Sequence, residues 1–344
     1  MRAWRLHEFG APTDVLRVEE IDAPEPGPGE IQIDVEAITI NFNDIDGIRG
    51  RYRTVRVEPP YIPGMEVLGR VRAAGDGDGA LIGTRVCAIP SGAFGGYAEV
   101  AVAPVAMTFA MPDGMDTATA ASVYMPFHVA SLALYERAHL SADDTVLVHA
   151  AAGGAGSAAV QLARVRGARV IATAGGPDKL RFATELGADV AIDYRIDDFV
   201  ARVLDATDGR GVDVAFDGIG GATTIETFRC MAFGGRHLLV GFASGIEAED
   251  EGIVPRPVLF GNFSLVGVCH AYTEDPLAFK RATGLNFPSH ADGVRLHEDL
   301  LRMIAAGTIR PIAGSRSSFS ALPEIVGAME SRATMSRNVV IVDS

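Results

Sequence analysis

Cysteine is scarce in this sequence, and its pattern excludes two kinds of stabilised fold. The chain of 344 residues contains three cysteines, Cys87, Cys230 and Cys269, and no two of them form a C-x-x-C pair. Widely spaced cysteines in odd number predict neither a disulfide framework nor a structural zinc site. We therefore expect a protein of a reducing compartment, the cytoplasm.

Basic residues are in deficit, and long apolar segments are missing. The 30 Lys and Arg residues against 44 Asp and Glu residues give a formal net charge of −14. Such a surface repels the phosphates of nucleic acids and anionic lipids, so neither is an expected partner. No stretch approaches the ~18 consecutive apolar residues of a membrane-spanning helix, and the first ten residues do not resemble a signal peptide. We expect neither export nor a membrane span.

Glycine, by contrast, is abundant, with 39 residues, and the chain length predicts about two domains. Residues 1–125 consist of short, glycine-punctuated β segments, which are typical of a compact antiparallel barrel. Residues 126–268 alternate buried strands with amphipathic helices, which predicts a doubly wound parallel sheet. Residues 269–344 are expected to complete the first domain, and the acidic loop at 243–257 either borders the substrate or is solvated.

A glycine-rich turn follows the first strand of the predicted parallel sheet. In HAAAGGAGSAAVQLA (149–163), Ala151, Gly153 and Gly156 occupy the three glycine positions of G-x-G-x-x-G at the start of a helix. Backbone N–H groups of such a turn bind a pyrophosphate, which makes Ala151, Gly153, Gly154, Ala155 and Gly156 candidate cofactor-binding residues. The alternative is a turn that only packs helix on strand.

The end of the next strand indicates which dinucleotide is bound. The segment ATAGG (172–176) has no acid for a ribose 2′-hydroxyl, while cationic and phenolic groups follow it, which favours NADPH. The candidates are Thr173, Gly175, Lys179 and Tyr194, with Arg195 beside them. Asp178 argues for NADH, unless it caps the following helix.

Six segments, in order along the chain, resemble one enzyme family. They are INFNDIDGIRGRY (40–52), IPGMEVLGRV (62–71), GGYAEV (95–100), HAAAGGAGSAAVQLAR (149–164), ELGADVAIDYR (185–195) and GVDVAFDGIGG (211–221). Together they resemble the zinc-independent, ζ-crystallin-like quinone oxidoreductases of the medium-chain dehydrogenase/reductase superfamily. The resemblance implies a GroES-like β-barrel domain plus a Rossmann domain, an active site in the cleft between them, NADPH, and a homodimer or homotetramer joined at the Rossmann sheet edge.

The resemblance also implies site residues. Zinc-dependent relatives have Cys at the position of Asn41 and His at that of Met65, so no metal is expected. Asn41 and Asp44 are implied to lie beside the nicotinamide, and further contacts are implied for Val240, Gly241, Phe242 and Asn262. Tyr52 matches the proton donor of related 2-enoyl thioester reductases, although it could instead only line the cleft. Val129 stands where the family has a Thr that contacts the cofactor, and the adjacent His128 is a possible replacement.

These observations predict a metal-free, NADPH-dependent oxidoreductase. Hydride addition to a quinone or another α,β-unsaturated carbonyl needs no Lewis acid, because the acceptor delocalises the charge itself. A 2-enoyl thioester reductase is an alternative within enzymes. A non-catalytic, crystallin-like NADPH-binding protein or an RNA-binding protein is an alternative of another class.

Overall fold

The computed structural model describes residues 1–52, 55–76, 79–245 and 252–343. Of the acidic loop at 243–257, residues 246–251 thus lie outside the described residues. The described strands are β1 (Arg2–Leu6), β2 (Leu16–Glu20), β3 (Glu30–Thr39), β4 (Val67–Ala74), β5 (Arg85–Ala88), β6 (Val100–Pro104), β7 (Thr108–Ala110), β8 (Thr145–Val148), β9 (Arg169–Ala174), β10 (Val190–Asp193), β11 (Val212–Asp217), β12 (Met231–Leu239), β13 (Ser264–Gly267), β14 (Ala313–Ser318) and β15 (Arg337–Ile341). The described helices are α1 (Pro12–Val15), α2 (Phe42–Ile48), α3 (Thr117–Ala121), α4 (Tyr124–Ser131), α5 (Gly154–Val165), α6 (Pro177–Glu185), α7 (Phe199–Ala206), α8 (Gly221–Thr227), α9 (Pro255–Gly261), α10 (Pro276–Thr283), α11 (His290–Ala305) and α12 (Leu322–Glu330). None of them has the length and apolarity needed to cross a membrane.

The first compact unit comprises residues 1–124, 271–297 and 311–344. Its main sheet is built around β3, which pairs antiparallel with β4, β6 and β15. The apolar residues of β3 alternate, so that Ile31 and Ile33 are fully buried on one face. The pairing of β15 with β3 places Val339 opposite Thr39, which brings the last strand of the chain beside the segment that leads into α2.

The second unit comprises residues 125–270 and 298–310. It contains a six-stranded, all-parallel sheet in the order β10-β9-β8-β11-β12-β13. The chain winds outward from β8 to β10 and then returns to β11, so the strand order reverses between β8 and β11. Ligands of such sheets bind at the carboxyl ends of the strands beside this reversal. The predicted α/β class with a doubly wound sheet is confirmed.

One segment groups differently from the sequence-based domain assignment. Residues 298–310 belong to the second unit, whereas the whole of 269–344 was assigned to the first. The amide side chain of Gln161 in α5 explains the difference, because it donates to the Arg310 carbonyl at 3.1 Å and accepts from the Arg310 N–H at 2.7 Å. This pair attaches the end of the segment to the parallel-sheet unit.

Candidate functional site

The glycine turn, defined as residues 150–156, joins β8 to α5. Gly153 is the N-cap residue and supplies no side-chain acceptor. The Gly153 N–H donates to Ala150 at 2.8 Å, and the first intrahelical bond runs from the Ser157 N–H to the Gly153 carbonyl at 2.9 Å. Within the described part of the chain, the N–H groups of Gly154, Ala155 and Gly156 have no acceptor. These three amides at the positive end of a twelve-residue helix suit an anion.

Two predicted residues shape the turn without contributing such an amide. The Ala151 N–H donates to the Thr173 carbonyl of β9 at 3.0 Å, so the sheet uses it. A Cβ built on Gly156 would lie 2.2 Å from the Ala150 carbonyl oxygen, so only glycine allows helix and strand to approach this closely. The functional candidates of the turn are therefore the amides of Gly154, Ala155 and Gly156.

Thr173 is buried, and its hydroxyl is hydrogen-bonded within the protein. It is 2% exposed, and its Oγ1 lies 3.0 Å from Nδ1 of His149. Thr227 donates its own hydroxyl to Thr223 at 2.6 Å, so His149 must donate from Nε2 to Thr227 Oγ1 at 2.9 Å and accept from Thr173 at Nδ1. The Thr173 side chain thus orients His149, and the role of Thr173 in cofactor binding stays a prediction.

This arrangement predicts a pH-dependent loss of stability. Burial lowers the pKa of His149 from 6.5 to about 4, so the unfolded chain binds a proton in this range and the folded chain does not. The free energy of unfolding should therefore fall as the pH drops from 6.5 to 4, by roughly 3 kcal/mol at about 1.36 kcal/mol per pKa unit. Urea unfolding of wild type and His149→Asn at several pH values measures the effect. The variant should lose this slope, whereas His139→Asn at an exposed position should keep it.

A second group of candidates forms the β9–β10 corner, which consists of Gly175, Gly176, Asp193, Tyr194 and Arg195. The Asp193 carboxylate accepts from the Gly176 N–H at 3.1 Å and from Arg195 Nη2 at 2.9 Å. Hydrogen bonding to the Arg195 guanidinium lowers the pKa of Asp193 to about 2. The only acid of this corner is therefore ionised and paired with an arginine.

The surface of the corner is formed by Tyr194 and Arg195. A Cβ built on Gly175 would lie 2.9 Å from the Tyr194 hydroxyl, and one on Gly176 would lie 2.6 Å from Arg195 Nη2. Tyr194 is exposed. Asp178 in the first turn of α6 does not cap the helix, because the N-cap residue is Gly176 and Asp178 pairs with Arg181 at 2.7 Å. Lys179 follows it in the same turn.

The predicted residues after β12 lie at the carboxyl edge of the sheet, next to the end of β11. The Val240 N–H donates to the Asp217 carbonyl at 2.8 Å, and the Phe242 ring lies against Gly220, where a Cβ would be 2.9 Å from the ring. Gly241 lies near Gly218. Val240, Gly241 and Phe242 therefore share an edge with the glycine turn.

Asn262 lies apart from this group, and its role as a cofactor contact stays a prediction. It precedes β13, and its carbonyl accepts from the N–H of Gly234 in the first half of β12 at 2.8 Å. The strands are parallel, so a residue before β13 lies at the amino edge, opposite to the carboxyl ends. Asn262 instead ends α9 in the left-handed conformation, with a φ of +50°.

In the first unit, Asn41 and Asp44 are members of a buried cluster that also contains Thr39, Glu66, Tyr97 and Arg337. Asp44 is fully buried, and its carboxylate accepts from the N–H groups of Asn41 at 2.8 Å and Met65 at 2.9 Å. The Tyr97 hydroxyl donates to it at 3.1 Å. Burial raises the pKa of Asp44 to about 7, against these three donors. Asp44 therefore supports the start of α2 and is fully buried, and its implied place beside the nicotinamide stays a prediction.

Tyr52 follows Asn41 and Asp44 closely in sequence, but it is only half-buried and makes different contacts. Its hydroxyl oxygen accepts from Asn43 Nδ2 at 3.2 Å, and its ring meets Phe94 edge-on with a centroid distance of 6.0 Å. A narrow crevice is lined by Tyr52 together with Gly47, Val55, Tyr61 and Phe94. Tyr52 thus combines a lining position with a phenol held by a neighbouring amide.

Several residues of these sites were missed by the sequence analysis. Asn43 and Arg337 contact predicted residues directly, and Glu66 accepts a hydrogen bond from Arg337. Asn43 stands inside a quoted segment and could have been found from it, whereas Arg337 lies 296 positions from Asn41 and gives no local signal. His128 and Val129 are both buried in α4. Among the described residues there is no group of three or more His, Cys, Asp or Glu that could hold a metal.

Comparison with known proteins gives consistent relationships over the whole chain. Residues 27–113 match the alcohol dehydrogenase GroES-like domain, and residues 154–282 match the zinc-binding dehydrogenase family. Human quinone oxidoreductase is 30% identical over 78% of this chain and 80% of its own length.

Two solved structures resemble the chain over nearly all of its length. A mycobacterial protein solved in complex with NADPH is 31% identical, covers 99% of this chain and all of its own, and has a TM-score of 0.85. Escherichia coli quinone oxidoreductase complexed with NADPH is 26% identical, covers 99% of this chain and all of its own, and has a TM-score of 0.84.

Proposed function

This chain belongs to the quinone oxidoreductase family of the medium-chain dehydrogenase/reductase superfamily, and from that premise we propose that it transfers hydride from NADPH to a quinone or another α,β-unsaturated carbonyl. The observation that carries the proposal is the glycine turn, with three helix-end amides and no side-chain cap. The β9–β10 corner supports the choice of NADPH, because its one acid is paired with Arg195 and Tyr194 is exposed beside it. Both features fit the charged groups of this cofactor.

Bound NADPH supplies the hydride from its nicotinamide ring, and the protein supplies binding, orientation and a polar environment. The amides of Gly154, Ala155 and Gly156 would bind the pyrophosphate, and Lys179, Tyr194 and Arg195 would bind the 2′-phosphate. Asn41 and Tyr52 are the donors for the acceptor's carbonyl oxygen, where negative charge develops. Asn41 and Met65 are poor zinc ligands, so the reaction proceeds without a metal.

A substrate panel tests the proposal. Oxidation of NADPH is followed with a benzoquinone, a larger polycyclic quinone, an enal and crotonyl-CoA, and turnover is expected with at least one quinone or enone. Absence of oxidation with every acceptor would refute the enzyme assignment. The protein would then be the non-catalytic alternative, and a filter-binding titration at several salt concentrations would measure RNA binding.

A second candidate function, reduction of 2-enoyl thioesters, is favoured by the Asn43 contact to the Tyr52 hydroxyl. If Tyr52 delivers the proton, Tyr52→Phe should lower kcat for crotonyl-CoA by about tenfold to a hundredfold. Reduction of a quinone by the same variant should fall less, because Asn41 remains as a donor to the acceptor oxygen and solvent can protonate the product. Tyr135→Phe, which removes only a hydroxyl bonded to the Leu162 carbonyl, is the matched control. Equal activity of Tyr52→Phe and wild type on crotonyl-CoA would leave Tyr52 as a lining residue.

The protein is further proposed to form a homodimer, or a homotetramer built from it, through the β13 edge of the parallel sheet. β13 is the last strand of the described sheet, and Phe233, Leu259 and Phe260 are exposed near it. Exposed apolar residues beside an open strand edge indicate an association surface. Leu259→Glu/Phe260→Glu should therefore sediment as a monomer in analytical ultracentrifugation. Ile196→Glu, beyond the opposite edge strand β10, should keep the wild-type mass, and an unchanged mass of the double variant would disprove the interface.

The cytoplasm is the proposed location. Cys87, Cys230 and Cys269 are all free thiols, as expected for a reducing compartment.

A further inference from the structure

We propose that Arg337 is a positioning residue for the reaction, because it fixes the orientation of the Asn41 carboxamide. This inference rests on the proposed function, in which Asn41 acts on the reacting groups. It assigns a part in the site to the last strand of the first unit, which lies outside the residues of the two family matches.

The contact is buried and direct. Arg337 Nη1 donates to Asn41 Oδ1 at 2.8 Å, and Nη2 donates to the Glu66 carboxylate. The three side chains are 6%, 6% and 1% exposed, respectively, so water does not compete for these bonds. The backbone fixes both ends of the contact, since β15 pairs with β3 and the Ile40 N–H donates to the Asn338 carbonyl at 3.1 Å.

Arg337 decides which end of the Asn41 carboxamide is the donor. The two ends of an amide have nearly the same shape, so only their hydrogen-bond partners distinguish them. The Nδ2 end donates to the Thr39 carbonyl at 3.4 Å, which is a long and weak bond. The Oδ1 end accepts a charge-assisted bond of 2.8 Å, which is stronger. A flipped amide would place N–H groups against the guanidinium, so Arg337 holds the donor end in one direction.

Glu66 compensates the positive charge of Arg337 in the protein interior. Its carboxylate accepts from Arg337 and from the Thr39 hydroxyl at 2.5 Å. Arg337 Nε has no acceptor among the described residues, while its two Nη groups donate to Glu66, Asn41 and, at 3.4 Å, the Ile40 carbonyl. Removal of both members of a buried ion pair is often tolerated, whereas removal of one member leaves an uncompensated charge. Effects on catalysis and on folding can therefore be separated by a double substitution.

The variant Arg337→Met/Glu66→Gln removes the donor to Asn41 together with both members of the buried ion pair. We expect a folded protein with kcat reduced about tenfold or more, a KM for the acceptor within about threefold of wild type, and a larger isotope effect with NADPH deuterated at the transferred position. Arg316→Met is the matched control, because Arg316 on the adjacent strand β14 makes an exposed bidentate pair with Asp116. It should keep wild-type kinetics.

NMR spectroscopy of the protein without cofactor tests the orientation of the Asn41 carboxamide directly. The Asn41 side-chain NH₂ signals, assigned in ¹⁵N-Asn-labelled protein, should be single and sharp in wild type and in Arg316→Met. In the double variant they should shift and broaden through exchange between orientations. If the double variant does not fold, Arg337→Lys replaces it, since one ammonium group cannot serve both Glu66 and Asn41 and the same changes should appear in smaller degree.

The outcomes separate the two proposals. If the wild-type protein does not oxidise NADPH with any of the acceptors, the proposed function is refuted, while the NMR signals still test the role of Arg337. An active wild type combined with a folded variant of unchanged kcat and unchanged Asn41 signals overturns the positioning role alone.

Discussion

Gly156→Val is expected to raise the Kd for NADPH by about 100-fold or more, equivalent to about 2.7 kcal/mol of binding free energy. A Cβ at this position would meet the Ala150 carbonyl oxygen at 2.2 Å, the Ala150 carbonyl carbon at 2.8 Å and the Ala151 Cα at 2.9 Å. These are backbone atoms of the same turn, so no side chain can move aside to relieve the clash. The start of α5 must move away from β8, and the amides of Gly154 and Ala155 move with it.

Graded substitutions separate this effect from general damage. Gly156→Ala carries the same Cβ and should lose most of the affinity. A Cβ on Gly153 would lie farther from the Ala150 oxygen, at 3.2 Å, so Gly153→Ala should lose less affinity. Gly327→Ala in α12 has open space around the new methyl group and serves as the control. Calorimetric titration gives Kd, and thermal unfolding shows whether each variant is folded. A folded Gly156→Ala protein with wild-type affinity would refute the proposed pyrophosphate site.

The sequence predicted the strand, the turn and the helix of this site, because all three are local patterns. Which backbone N–H groups of the turn are hydrogen-bonded within the protein could not be predicted in the same way. The Ala151 N–H is bonded to the Thr173 carbonyl, and that bond depends on the register between β8 and β9. The Thr173 hydroxyl depends in turn on His149 and Thr227, which only the folded sheet brings together.

Asn262 shows a different limit of the sequence analysis. Its neighbourhood in sequence was assigned correctly to the loop before the last strand of the parallel sheet. Whether such a loop can reach a cofactor depends on the strand direction, and a residue before a parallel strand lies at the amino edge. The same reasoning, applied to the predicted strands, places Asn262 at the amino edge from the sequence alone.

The sequence indicated only some members of the buried cluster. Asn41 and Asp44 lie three residues apart at the start of α2, where the Asn41 N–H donates to the Asp44 carboxylate, and this pattern is local. Their burial and the approach of Arg337 result from the pairing of β3 with β15, which joins the two ends of the first unit. Residues that such a long-range pairing adds to a site are not detectable from one sequence.

Coenzyme selectivity should depend on Arg195 more than on any other single residue. Arg195→Ala is expected to reduce the preference for NADPH over NADH by about 100-fold, and Lys179→Ala by about tenfold. Two effects combine in Arg195→Ala, since the variant loses a guanidinium at Gly176 and also exposes the charge of Asp193. Arg195 lowers the pKa of Asp193 to about 2, and without it the carboxyl remains ionised at neutral pH and repels a 2′-phosphate.

The double variant Asp193→Asn/Arg195→Ala distinguishes these two effects. It removes the repulsion but not the loss of the cation, so its selectivity should lie between those of wild type and Arg195→Ala. Arg181→Ala is the matched control, because Arg181 pairs with Asp178 on the exposed side of α6 and should leave both affinities unchanged. Calorimetric titrations with NADPH and NADH measure the ratio. If the ratio is near one already in wild type, the corner does not bind a phosphate; if Arg195→Ala keeps a high ratio, the selectivity depends on Lys179 and Tyr194 instead.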